Sequence, residues 1–170
     1  MGRVENLLGA QSLAVADRLR AVGAGLGLSA SEQGALVTVF AHPDRPVSWL
    51  GDVLGLTSSG VTRLVDRLVE DGLMTRTAAD DARQRRLRLT AAGVRRAQAL
   101  NGARQEVLEA VIEPLTRQER ADLERLLERL VGGLHAELMP TMHTCRLCDR
   151  EACRSGGRAC PLDHTVPADG

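Results

Sequence analysis

Only one residue, Leu56, separates the glycine at 55 from the threonine at 57, and a helical apolar pattern lies on either side, so the chain must turn a sharp corner there. On the near side Trp49, Leu50, Val53 and Leu54 predict a short helix, capped by Ser48 and stopped by Gly55 in the left-handed conformation. On the far side Thr57 caps a second helix. There Val61, Leu64, Val65 and Leu68 form one apolar stripe, while Ser58, Ser59, Thr62, Arg63 and Arg67 lie on other faces. Two short helices about a glycine turn, the second with a polar, arginine-bearing outer side, describe a helix-turn-helix.

The remaining chain supplies a scaffold for that corner. Phe40 and Trp49 are the only aromatics, so the core must be built from Leu, Val and Ala, which suits helix-on-helix layers. Val4, Leu7, Leu8, Val15, Leu19 and Val22 predict a long first helix, ended by Gly23, Gly25 and Gly27. Ser29 with Glu32 has capping-box spacing and opens a helix through Phe40, which Pro43 cannot continue; a turn over 42–46 follows. Gly72 closes the second helix of the corner. Residues 73–77 and the alternating 86–89 predict a β-hairpin with a tip over 78–85.

Thr90 then caps a helix to about Ile112, and Thr116 with Glu119 opens another. Its stripe of Leu123, Leu126, Leu127, Leu130, Leu134 and Leu138 runs to Pro140. The fold class is mostly α, an α+β winged helix. A chain of 170 residues with 44% hydrophobic content is expected to form one compact domain with an appendage. Gly51 and Gly60 sit inside predicted helices, where each costs roughly 1 kcal/mol against alanine unless it permits close helix packing.

The formal net charge is zero, so bulk electrostatics point to no nucleic-acid partner. Local charge does. All 22 basic residues are arginine, from coding bias or for bidentate contact to phosphate and guanine. Residues 82–96 hold Arg83, Arg85, Arg86, Arg88, Arg95 and Arg96 without an acidic side chain, a local charge of plus six. At a hairpin tip such a segment is either a solvated surface or a phosphate contact, and its place favours contact.

Gly72-Leu73-Met74, Arg76, Asp81-Ala82-Arg83, Leu87-Arg88-Leu89-Thr90 and Gly93 are similar in identity and spacing to the wing signature of the MarR family. With the helix-turn-helix before them, the resemblance covers roughly residues 4–138. Met74 departs from the family's usual β-branched residue. The resemblance implies a homodimer whose first and last helices interlock, with two winged lobes on a pseudo-palindromic double-stranded DNA operator. Residues 1–139 then form the winged helix-turn-helix domain, with dimerisation helices about 3–26 and 91–138 and a DNA-binding lobe about 29–90. The leucine stripe from 116 to 138 independently asks for a partner surface, whether in a second subunit or within the same one.

Ser58, Ser59, Thr62 and Arg63 are expected at base edges and flanking phosphates, because the N-terminal half of a recognition helix enters the major groove. Arg67 either meets phosphate or pairs with Asp66, Glu70 or Asp71. The resemblance implies that Arg83 reaches the minor groove with Asp81 orienting it; the alternative is that the two merely close the hairpin. Arg85 and Arg86 add to the basic wing.

Residues 140–170 form a cysteine-rich tail with Cys145, Cys148, Cys153 and Cys160. A C-x2-C knuckle with two further cysteines nearby supplies a four-thiolate set, for which zinc is the first expectation, with an iron–sulfur cluster or a metal-free thiol switch as alternatives. A functionally silent tail is the bland reading. His143 and His164 flank the set and are left outside it.

The expected function is a cytoplasmic DNA-binding transcriptional regulator, a repressor, responding to a small-molecule, metal or redox signal, with no membrane segment and no catalytic residues. A metal-binding interaction module without specific DNA binding and a thiol redox protein using Cys145 and Cys148 are the alternatives; the second lacks the βαβ unit that such a motif requires.

Overall fold

The computed structural model describes residues 2–78, 85–133 and 141–162. Helix α1 (Arg3–Gly25) leads to α2 (Ala30–Ala41), strand β1 (Arg45–Pro46), α3 (Val47–Leu54) and α4 (Ser58–Glu70). Strands β2 (Met74–Ala78) and β3 (Arg85–Leu89) follow, then α5 (Ala91–Ile112), α6 (Arg117–Gly132), and in the tail α7 (Thr141–Cys145) and α8 (Arg150–Cys153). The architecture is the mostly helical winged helix that the sequence predicts. Among the described residues no helix is long and apolar enough to cross a membrane.

The caps explain most boundaries. Ser29 accepts from Glu32 N while the Glu32 carboxylate accepts from Ser29 N at 2.8 Å, and Thr116 and Glu119 do the same. Thr57 accepts from Gly60 N and Thr90 from Gly93 N. Ser48, by contrast, is not a cap. Helix α3 begins at Val47 behind Pro46, because β1 holds Arg45 and Pro46 extended and proline's fixed φ leads directly into the first turn.

The sheet has the order β1-β3-β2 and is antiparallel throughout. In the hairpin Met74 pairs with Leu89 and Ala78 with Arg85, so the ladder reaches one residue further at each strand than the alternation suggests. Residues 79–84 lie outside the described residues. The first helix runs two residues beyond Gly23, which is a packing position and not a stop: the Gln33 side chain occupies the space a Cβ there would need. Helix α6 is described from Arg117 to Gly132; Leu134, Leu138 and Pro140, to which the sequence extends it, lie outside the described residues.

Leu36, Leu50, Val61, Val65, Leu68, Met74, Leu87 and Leu100 are almost fully buried and join α2, α3, α4, the hairpin and α5 into one core. Burying each such side chain contributes about 1.5–3 kcal/mol. Gly51 lets α3 approach α4 closely, since a Cβ there would stand 3.1 Å from Val61 Cγ1. Helix α6 contributes no buried residue.

Candidate nucleic-acid interface

Helix α4 divides into two sides. Val61, Leu64, Val65 and Leu68 enter the core, and Ser58, Ser59, Thr62, Arg63 and Arg67 remain exposed. Thr62 Oγ1 donates to the Ser58 carbonyl at 2.8 Å, and Arg63 Nε donates to the Ser59 carbonyl at 3.3 Å. The Arg63 contact uses Nε and leaves the guanidinium's terminal N–H groups for an external acceptor.

Arg67 has a partner that the sequence reading missed. Its Nη1 stands 3.6 Å from Oε1 of Glu32 on α2, not beside Asp66, Glu70 or Asp71. Burial raises the Glu32 pKa, but the Ser29 hydrogen bonds and Arg67 outweigh it and hold the carboxyl below its ordinary value. Asp66 is engaged by Arg76 of β2 at 2.6 Å, which ties the hairpin to α4.

The hairpin's charge is less free than its composition suggests. Arg88 closes in bidentate fashion on Asp44, with both contacts at 2.5 Å, and the pair holds the Asp44 carboxyl below its usual range. Arg96 donates to the Leu26 carbonyl at the end of α1. Arg86 is exposed on β3 beside the buried Leu87. Arg85 belongs to the β3 ladder, and Asp81 and Arg83 lie outside the described residues.

Residues 26–86, which hold this helix corner and most of the hairpin, match the model of the MarR family. That segment is a winged helix-turn-helix of the MarR type. A MarR family protein from Bacillus stearothermophilus has the same fold at a TM-score of 0.68 and 28% identity, covering 75% of this chain and 89% of its own. MarR from E. coli in its apo form aligns at 0.62 and 23% over 76% and 98% of the two chains. A MepR variant from S. aureus, bound to an oligodeoxyribonucleotide, aligns at 0.61 and 17% over 79% and 100%. Comparison with curated protein sequences gives no match. The function that goes with the MarR-family lobe is DNA-binding transcription regulation.

The tail lies against this MarR-family lobe. His143 donates from Nδ1 to the Val53 carbonyl of α3 at 2.9 Å, and Thr38 Oγ1 of α2 donates to the Arg146 carbonyl at 3.2 Å. Arg150 donates to the ring of His42, 3.1 Å from Nδ1, while Arg158 pairs with Glu124 of α6. Leu147 packs on the MarR-family core, and Leu162 is buried.

All four cysteines line one cavity of about 270 Å³ between the tail and α2–α3, shared with Thr38, His42 and Trp49. The four are not joined by disulfides. A hydrogen bond from Cys145 lowers the Cys148 pKa to about 7 against the opposing effect of burial, helped by Arg104 and Arg146, and Cys145 is correspondingly pushed up. Burial raises Cys153, as does its neighbour Cys160. Among the described residues, no three His, Cys, Asp or Glu side chains already converge as a set for one metal ion. His143 is engaged by backbone, and His164 lies outside the described residues.

Proposed function

We propose that this regulator represses transcription by occupying a pseudo-palindromic DNA operator as a homodimer. The observation that carries the reading is the division of α4, whose polar N-terminal half is exposed while its apolar stripe is locked into the core. Ser58, Ser59, Thr62 and Arg63 meet base edges and the flanking phosphates, and Arg67 exchanges its distant Glu32 contact for a phosphate. Arg85 and Arg86 face phosphate from the wing. By resemblance to the family, Arg83 enters the minor groove with Asp81 orienting it.

Two further observations support the reading. MepR, which shares the fold, is held on an oligodeoxyribonucleotide. Leu126, Leu127 and Leu130 of α6 are about half exposed, as are Leu7 and Leu8 of α1, so these helices offer an apolar surface that burial among the described residues of one subunit does not use. A two-fold pair of chains covers that surface and sets two recognition helices about 34–36 Å apart, one turn of B-DNA. A signal that changes the spacing shifts the population away from the DNA-competent form.

The test is selection of bound duplex from a random pool, followed by anisotropy titrations over a salt series. A selected site should bind with a steep salt dependence, and Arg63→Ala should weaken binding and reduce the logarithmic slope by about one. Equal binding of every duplex would overturn the proposal.

A further inference from the structure

We propose that residues 141–162 are a metal-bound strap: the thiolates of Cys145, Cys148, Cys153 and Cys160 hold a thiophilic metal centre against α2 and α3, and the occupied centre pins the tail to the helix-turn-helix.

Local geometry brings the four sulfurs to one place by two separate turns. Cys148 N donates to the Cys145 carbonyl at 2.9 Å, closing the C-x2-C segment and turning both side chains toward the cavity. Asp149 then caps α8 through Oδ1, accepting from Glu151 N at 2.9 Å and Ala152 N at 3.1 Å, which carries Cys153 to the same wall. Gly156 and Gly157, both left-handed at φ 70° and 76°, reverse the chain so that Cys160 returns beside Cys153.

Beyond the polar contacts with α2, α3 and α6, the described tail has little apolar core of its own. Its two helices have five and four residues, too short to persist alone. Leu147 packs on the core and Leu162 is buried, few apolar anchors for a segment of this length. Short segments with so little core are commonly held by disulfides or by a metal, and here the four cysteines are not joined by disulfides and line one cavity. Arg45, Arg146, Arg150 and Arg154 line that cavity, a positive surround that suits a centre whose four thiolates leave it anionic.

The sulfurs stand as two pairs, Cys145 with Cys148 and Cys153 with Cys160, without three already convergent on a point. Two pairs match a binuclear iron–sulfur unit with one pair on each iron; a single zinc would require the side chains of both pairs to turn toward one point. Four-thiolate ligation is common to both.

The strap matters because of what it grips. Val53, whose carbonyl receives His143, lies two residues before Gly55, the turn that aims α4. Arg158 reaches α6 through Glu124 and, at 4.0 Å, Glu128. Occupancy therefore fixes the corner and the last long helix relative to one another. The effect on DNA rests on the repressor reading above; the metal site itself does not.

The experiment is anaerobic purification of the full chain, with metal and acid-labile sulfide analysis, a visible spectrum, and hydrogen exchange before and after removal of metal by a chelator. About one zinc per chain and no colour identifies zinc; iron with sulfide and thiolate charge-transfer bands identifies the cluster. Either result is expected to come with protection of residues 141–162 and of α3 that falls at least tenfold on chelation and returns on re-addition of zinc chloride, or of ferrous iron and sulfide. Cys148→Ser with Cys153→Ser should abolish the metal while circular dichroism of the remaining helices persists. Four freely reacting thiols after both additions, disulfides in place of metal, or exchange that ignores the metal would overturn the proposal. If the metal loads and protects the tail but no duplex is preferred, the strap stands and the repressor reading fails.

Discussion

Gly93 shows how a single position is constrained from two sides. It donates its N–H to Thr90 Oγ1 at the start of α5, and a Cβ there would collide with the Leu73 carbonyl, a backbone atom that cannot rotate away. Gly93→Ala is therefore expected to destabilise the chain by about 1–3 kcal/mol, read as a lower midpoint in urea unfolding. His42 is constrained electrostatically. Burial lowers its pKa first, and Arg150, Arg45 and Arg154 add to the shift, so the fold prefers the neutral ring. The unfolded chain takes up a proton at the ordinary histidine value, near 6.5, whereas the folded chain resists until lower pH. Stability should fall as pH drops below that value, and His42→Gln should remove this step from the pH dependence of Tm. Glu32, whose folded pKa is lowered, adds a separate loss of stability as pH falls through the carboxylate range.

At the level of elements, the recognition helix and the wing are joined by one side-chain contact as well as by the core. Arg76 of β2, largely buried, meets Asp66 of α4, and Leu68 and Met74 of the same two elements lie in the shared core. Arg76→Ala should cost about 0.2–1 kcal/mol, because Asp66 remains half exposed and water replaces much of the contact. On the binding mode proposed above, in which the wing and α4 reach adjacent grooves together, its effect on DNA affinity should exceed what that small loss implies; comparing thermal melts with anisotropy titrations checks this. Equal losses in both measurements would mean that Arg76 acts on stability alone.

At the scale of the whole molecule, α1 and α6 are incompletely accounted for by one chain. Val4, Leu7, Leu8 and Leu13 on α1 and Leu126, Leu127 and Leu130 on α6 are exposed, whereas the lobe between them is closed by its own core. On the homodimer proposed above, Leu126→Glu with Leu130→Glu should give a monomer in sedimentation at micromolar concentration, leave the winged lobe folded, and lose most operator affinity, because two linked half-site contacts become one. A double variant that stays dimeric would place the subunit contact elsewhere.

Much of this was readable in the one-dimensional pattern. Ser29, Thr57, Thr90 and Thr116 cap helices through contacts three residues away, and Gly55 and Gly72 adopt left-handed φ at helix ends, so the information is local and the spacing alone reveals it. The apolar stripe of α4 and its polar opposite face follow from the helical period in the same way. Other features were decided by partners remote in the chain. Ser48 loses the cap position to Pro46 because residues 45 and 46 pair with β3 some forty positions later. Arg67 finds Glu32, Arg88 finds Asp44, and Arg96 finds the Leu26 carbonyl, so part of the apparent positive charge of α4, the wing and α5 is used within the fold. The cysteine spacing suggested a ligand set, but only the folded chain brings those thiols onto the surface of α2 and α3, since that placement depends on hydrogen bonds to Thr38 and Val53. Local sequence determines where helices start and stop because capping and periodicity act within a turn; the free charges and the tail's position are set by tertiary contacts between segments that no sequence window contains.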